Sequence, residues 1–291
     1  MRLLLALADG RELDVEVAGA ATGPVVLVQQ GTPEGHAVPG SYARAAERLG
    51  VRLASWARPG YARSTRRPGR TVADVVTDAL AVADLLGARR FAAVGASGGG
   101  PHALALGALV PERCAAVATL AGVGPLGDPG LDFLAGMGEG NVVEFAAAQQ
   151  GEQALRVLLQ QWRPEIVDGG VQAMVEGMAS VLSPPDVAVL DDEFGAEVLA
   201  GMRTALSAGV DGWLDDDLAF TRSWGFAPAD VAVPVHVWQG AQDLMVPPAH
   251  ARWLAGQLPA GSLHLLPEDG HLTLQSTRLE DVLAPLAQAL A

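Results

Sequence analysis

The stretch "VGASGGGPH", residues 94–102, sets four glycines around a single serine. It follows the apolar run Phe91–Val94, which reads as a strand, and it opens the segment Pro101–Val110, which reads as a helix. A chain passing straight from strand to helix over G-x-S-x-G must turn so sharply that the serine is strained and held outward. Side chains two residues to either side would clash, and Gly95 and Gly99 remove them. The helix that follows directs its N-terminus at Ser97, which favours negative charge developing there. A dinucleotide-binding loop fits poorly, because G-x-G-x-x-G needs glycine at position 97 and normally follows the first strand. Ser97 is therefore a candidate nucleophile.

Outward from this turn, strand-like and helix-like segments alternate. Val25–Gln29 and Val51–Trp56 are short apolar runs, the first ending at Gly31 and the second at Arg58-Pro59-Gly60. Thr71–Leu86 carries apolar residues at helical spacing and stops at Gly87, and Ala115–Leu120 is the next strand. Near the N-terminus, Asp9-Gly10 between two alternating segments reads as a hairpin turn. The alternation resumes late in the chain with strand Val235–Trp238, helix Pro248–Leu258, strand Ser262–Leu266 and a last helix from Leu279. Strands alternating with helices imply an α/β fold with a mainly parallel sheet covered on both faces.

Between about Pro125 and Phe226 the periodicity is helical and no strand is convincing. This segment carries 17 acidic and 4 basic residues, whereas the remainder is nearly balanced at 16 and 15. Eight of the 12 Trp and Phe residues also lie in it, so it reads as a helical insertion, acidic outside and aromatic inside. An ordinary helical domain with a solvated acidic face would look the same. The organisation expected is 1–124 and 227–291 as two parts of one α/β core, with 125–226 as a helical cap.

Composition narrows the chemistry. All 19 basic residues are arginine, so a P-loop lysine, a pyridoxal Schiff base and Ser–Lys catalysis are excluded. A net charge of −14 argues against nucleic acid and anionic membranes as partners. The single cysteine, Cys114, allows no internal disulfide and no multi-cysteine metal site, and it reads as a small buried residue. Arg2 and the leucines after it imitate a signal peptide, but Asp9 ends that run early, and no apolar run approaches the length of a membrane span. A soluble, cytoplasmic protein acting on a small-molecule substrate is expected, with no metal or cofactor implied.

A serine hydroxyl needs a base to take its proton, and the base needs an acid to orient it. His271 lies in "PEDGHLTL", just after the last expected strand, and Asp243 lies in "WQGAQDLMVP", just past strand Val235–Trp238. In a parallel sheet both positions fall at the carboxyl ends of the strands, as Ser97 does. Asp128 is the rival for the acid, while Glu268 and Asp269 read as solubility charges of the histidine loop. His102 reads as a packed or capping residue of the helix after Ser97, and His236 as a core histidine.

With these motifs the sequence resembles the α/β-hydrolase superfamily over nearly the whole core. The resemblance implies a mainly parallel eight-stranded sheet flanked by helices, with an all-helical cap between strands six and seven. "QQGTPEG" resembles the loop after the third strand that supplies half of the oxyanion hole, so the backbone N–H groups of Thr32 and Gly98 would hold the oxyanion. Gln30 stands where that family usually has histidine, and "RPGYARS" (58–64) has Ala62 where glycine is frequent. A serine at the turn excludes the aspartate-based dehalogenase and epoxide-hydrolase branches.

The reading is a serine hydrolase of a small, largely apolar, uncharged carboxylic ester or lactone, acting through an acyl-Ser97 intermediate. Trp224, Phe226 and Met245 are the candidate substrate contacts. One alternative is an aminopeptidase resembling proline iminopeptidases, with cap acids on a substrate ammonium, although those enzymes usually carry Trp where Gly98 stands. Another is a ligand receptor or scaffold that retains the triad but hardly turns over.

Overall fold

A computed structural model describes residues 1–190 and 192–291 of the chain. Its centre is an eight-stranded sheet in the spatial order β1-β2-β4-β3-β5-β6-β7-β8. β1 (Arg2–Ala6) and β2 (Glu12–Gly19) form the expected hairpin, and β2 also runs antiparallel to β4 (Arg52–Trp56). β3 (Val25–Gln29), β5 (Phe91–Ala96), β6 (Cys114–Leu120), β7 (Val235–Gly240) and β8 (Gly261–Leu266) complete a parallel array with β4.

Period-two alternation sends successive strand residues to opposite faces, and each face has its own core. Val25, Leu27 and Ala93 face one side, where α2 (Val75–Leu85), α3 (Gly99–Leu109) and α10 (Pro248–Gln257) cover them. Val26, Val28 and Val94 face the other, against α1 (Gly40–Leu49) and α12 (Leu279–Gln288). The central strands are therefore apolar at consecutive positions, as a sheet buried on both faces demands.

Helix α3 begins two residues before the proline that the sequence suggests as its start. The first helical N–H groups have no intrahelical acceptor, so Pro101 removes no bond there, and the glycines themselves take helical geometry. The segment expected at Thr71–Leu86 opens with a 3₁₀ turn, Val72–Asp74, before α2.

Between β6 and β7 the described residues form α4 (Glu139–Gln150), α5 (Glu152–Asp168), α6 (Val171–Gly177), α7 (Pro184–Val189), α8 (Asp192–Ala205) and α9 (Asp211–Phe220). The expectation of an outward acidic face fails on α9. Asp215, Asp216 and Asp217 are all buried, because arginines from the sheet's loops reach Asp215 and Asp216 and Glu144 of α4 lies beside Asp217. A short α11 (Thr273–Thr277) separates β8 from α12. No helix among the described residues is long and apolar enough to cross a membrane.

Candidate active site

Ser97 stands at the junction of β5 and α3 with φ of 51°, a left-handed conformation that a residue bearing a side chain rarely takes. Two backbone bonds hold it there: its N–H donates to Leu120 O at 2.8 Å, and its carbonyl accepts from Gly100 N–H at 2.9 Å. The glycines act as their spacing suggests. A Cβ on Gly95 would lie 2.3 Å from Gly99 O, and one on Gly99 would lie 2.1 Å from Gln29 O. No side chain fits at either position, so the turn brings β3, β5 and α3 into backbone contact.

His271 and Asp243 meet at the carboxyl ends of β8 and β7. His271 Nδ1 lies 2.8 Å from Asp243 Oδ2, and both side chains are buried. Asp243 is held in turn by Gln239 Nε2 at 3.0 Å on Oδ2, and by the N–H groups of Met245 and Val246 at 2.8 Å on Oδ1. With Asp243 accepting at Nδ1–H, the imidazole leaves Nε2 free for proton exchange. Burial opposes protonation of His271, but the Asp243 carboxylate, followed by Asp186 and Glu34, outweighs it, and the imidazole pKa is raised. Ser97 forms no hydrogen bond to His271 among the described residues.

The loop after β3 comes over the turn at Ser97. Neither Thr32 N–H nor Gly98 N–H has a protein acceptor among the described residues, leaving two free donors. Arg58 holds this loop from beneath, donating to Gln30 O at 2.5 Å and to Gly31 O at 3.0 Å. Gln30 bonds the carbonyl of Ala37 at 2.8 Å and lies 3.4 Å from Ser55 Oγ, so an amide does the bracing at this position. Ala62 adopts a φ of 47°, which accounts for glycine being frequent there in sequences it resembles.

Beneath the loop lies a fully buried charge cluster that the sequence did not announce. Asp216 of α9 accepts from Arg58 (2.5 Å), Tyr61 Oη (2.9 Å) and Thr32 Oγ1 (2.9 Å), and forms an ion pair with Arg70 at 2.7 Å. Although burial alone would raise its pKa, the two guanidinium groups hold the carboxyl far below the usual range. Thr32 is thus tied through its hydroxyl to a helix 184 residues away in the chain.

A cavity of about 190 Å³ opens above Ser97 and Thr32, smaller than the roughly 300–1,000 Å³ of drug-sized ligand sites. Its walls are mainly apolar, from Ile166, Met174, Met178, Val181 and Met202, with Trp162 and Trp213 also contributing. Met245 lines it as expected. Trp224 and Phe226 do not: their rings pack on each other with centroids 5.7 Å apart, and Trp224 O accepts from Ala73 N–H, which turns both towards the sheet's own helical layer. The acids are Glu144 and, at the rim, Glu165.

The remaining candidates separate cleanly. Asp128 accepts from Gly130 N–H at 2.8 Å within its own loop and makes no bond to His271. Asp269 is buried and pairs with Arg278 at 2.9 Å, so it is a structural acid rather than a loop solubility charge. His102 Nδ1 bonds Gly98 O at 2.9 Å, and burial followed by the Arg58 charge depresses its pKa to about 3, leaving it neutral. His236 is half-buried rather than core, with Nδ1 3.3 Å from His264 Nε2 on the neighbouring strand. Burial pushes the Cys114 thiol up to about 12, which makes it unreactive at neutral pH.

The family model described as alpha/beta hydrolase fold matches residues 24–275. Among solved structures, a hydrolase from Pseudomonas aeruginosa PA01 is similar over 100% of this chain and 98% of its own, with a TM-score of 0.72 at 20% identity. The enol-lactonase from Burkholderia xenovorans LB400 is similar over 97% of both chains (TM-score 0.65, 19% identity). The esterase RhEst1 from Rhodococcus sp. ECU1013 is similar over 100% of this chain and 99% of its own (TM-score 0.70, 16% identity). No curated protein matches the sequence. At these identities the structures speak for the fold.

Proposed function

The chain belongs to the α/β-hydrolase family, and on that premise we propose that it hydrolyses a small, largely apolar, uncharged carboxylic ester or lactone through an acyl-Ser97 intermediate. The observation that carries the reading is a left-handed Ser97 at a cavity that Thr32 also lines, with the backbone N–H groups of Thr32 and of Gly98, next in the chain, both unclaimed among the described residues. His271 Nε2 takes the Oγ proton as Oγ attacks the substrate carbonyl carbon, and the carbonyl π electrons move to oxygen. Thr32 and Gly98 N–H stabilise that oxyanion. Collapse breaks the ester C–O bond, and the alkoxide leaves with the proton from His271. Water then attacks the acyl-enzyme by the same route, returning the acid and free Ser97. Asp243 stabilises the imidazolium in both halves. Two related solved structures are described as an esterase and an enol-lactonase, which fits this substrate class.

One observation favours a second reading, in which the substrate carries an amine. Glu144 lines the cavity and accepts from Trp213 Nε1, and the Asp217 carboxyl beside it has a buried Oδ2 with no partner among the described residues. Burial followed by mutual repulsion raises the Asp217 pKa well above the usual range, and burial raises that of Glu144. The two buried carboxyls repel one another, and a substrate ammonium or other hydrogen-bond donor set beside them would relieve that repulsion.

Intact-mass spectrometry after treatment with a fluorophosphonate tests the nucleophile. One adduct per chain is expected on the wild type and none on Ser97→Ala. The absence of an adduct on folded wild-type protein would refute the mechanism. Unlabelled wild-type protein is then compared on p-nitrophenyl butyrate and proline p-nitroanilide. Turnover of the ester alone supports the first reading, and preference for the anilide supports the second.

A further inference from the structure

Asp186 is fully buried and forms no ion pair among the described residues, an unusual state for a carboxylate. Four donors meet it instead. Oδ2 accepts from His271 N–H at 2.9 Å and Ser183 Oγ at 2.7 Å, while Oδ1 accepts from Leu272 N–H at 2.6 Å and Thr273 N–H at 3.3 Å. Three of these donors are consecutive backbone groups beginning at His271. The carboxylate comes from α7, in the helical segment between β6 and β7, 85 residues before the histidine. The loop is shaped to receive it: a Cβ on Gly270 would lie 2.3 Å from Asp186 Oδ2 and 2.3 Å from Ser183 Oγ.

We infer that Asp186 is a positioning residue for the general base, holding the backbone of the His271 loop while Asp243 holds its ring. Two restraints then define the imidazole. The Asp243 bond fixes which ring nitrogen carries the proton and the tilt of the ring. The three bonds from Asp186 fix the direction in which the His271 side chain leaves the chain. Because Asp186 belongs to the segment that also walls the cavity, seating of α7 and alignment of the base are one event. The groups facing His271 are Asp243 from the loop after β7, Asp186 from α7 and Glu34 from the loop after β3, and all three favour its protonated form. The inference rests on His271 being the base, as proposed above.

Asp186→Ala, Asp186→Asn and His271→Gln in the full-length chain test it, read by ester kinetics, fluorophosphonate labelling rate and histidine NMR titration. Asp186→Ala is expected to lose on the order of 100-fold in kcat, the effect of a displacement near 1 Å in a reacting group, with KM changed less than about threefold. Asp186→Asn keeps an acceptor for Leu272 and Thr273 N–H and is expected to stay within about tenfold of wild type. Its His271 resonance, assigned by its loss in His271→Gln, should titrate at lower pH than in the wild type, because one of three negative charges has gone. A residue that only stabilised the fold would leave kcat and the labelling rate of folded Asp186→Ala where they were. Wild-type kcat in folded Asp186→Ala overturns the inference. If that variant does not fold, an unmoved His271 titration in Asp186→Asn overturns it. Labelling of His271→Gln at the wild-type rate would overturn the base assignment itself, and with it this inference. Loss of labelling in His271→Gln without loss in the Asp186 variants would overturn the inference alone.

Discussion

Replacing Gly98 by alanine adds one methyl group to the candidate oxyanion hole and changes little else. The backbone at Gly98 has φ of −57° and ψ of −15°, which alanine adopts without strain, so the effect isolates steric contact. The new carbon would lie 2.5 Å from Thr32 Oγ1, 3.1 Å from Thr32 Cβ and 3.0 Å from Phe220 Cζ. Ordinary contact is about 3.5–4.0 Å, so Thr32 must retreat by about 1 Å. It cannot simply rotate away. Its hydroxyl bonds Asp216 Oδ2 at 2.9 Å and accepts from Arg58 Nη2 at 3.2 Å, and both of those partners are buried. The retreat carries Thr32 N–H out of line with Gly98 N–H, and loss of one such donor costs about 10²–10³ in kcat. Overpacking should lower stability by about 1–3 kcal/mol. The assay is kcat and KM on p-nitrophenyl butyrate beside a thermal melt. Gly201→Ala serves as control, because a Cβ there meets nothing within 4 Å. Thr32→Ala in the Gly98→Ala background removes the 2.5 Å contact and should recover part of the lost kcat. A folded Gly98→Ala protein with kcat within about threefold of wild type would refute the assignment of this donor pair.

Two further outcomes follow from the buried charges. Asp216→Ala leaves Arg58 and Arg70 buried without their carboxylate, a loss of about 3–5 kcal/mol that urea unfolding at pH 7 should detect. Since the folded carboxyl is held far below its unfolded range, the deficit relative to wild type should be full at pH 6–7 and shrink as pH falls below about 4. For catalysis, the base must be neutral, so kcat/KM should rise with pH through the raised His271 pKa. Asp243→Asn should lower kcat by about 10³–10⁴ and move the acid limb to lower pH, and an unmoved limb would count against His271 as the titrating group.

Local constraints were the ones most legible in the sequence. Gly95, Ser97 and Gly99 announce their turn because the clash they avoid lies within a few residues or against the adjacent strand. Alternating apolar runs announce the sheet because burial on two faces is written at consecutive positions such as Val25–Val28. His271 and Asp243 could be paired from their places just beyond two parallel strands, since the sheet itself carries both to one edge.

Other readings depended on what the chain folds back upon. The run Asp215-Asp216-Asp217 looks like a solvated face, because nothing near it in sequence supplies a cation. Arg66, Arg58 and Arg70, some 146–158 residues earlier, make Asp215 and Asp216 interior groups. Trp224 and Phe226 have the composition of a substrate wall, yet they pack into the sheet's helical layer, and Trp162 and Trp213 line the cavity instead. Asp186 carries no sequence signal for its contact with the histidine loop, since its partners there are backbone N–H groups, and the Ser183-x-x-Asp186 spacing marks only the start of its own helix. By itself, then, the sequence determined the α/β alternation and the elements that present Ser97, Asp243 and His271, because steric exclusion and periodicity act between neighbours. The tertiary structure alone decided which charges are buried, what braces the loop after β3 and the loop of His271, and which aromatics meet the cavity. Those depend on distances between segments that only the folded chain brings together.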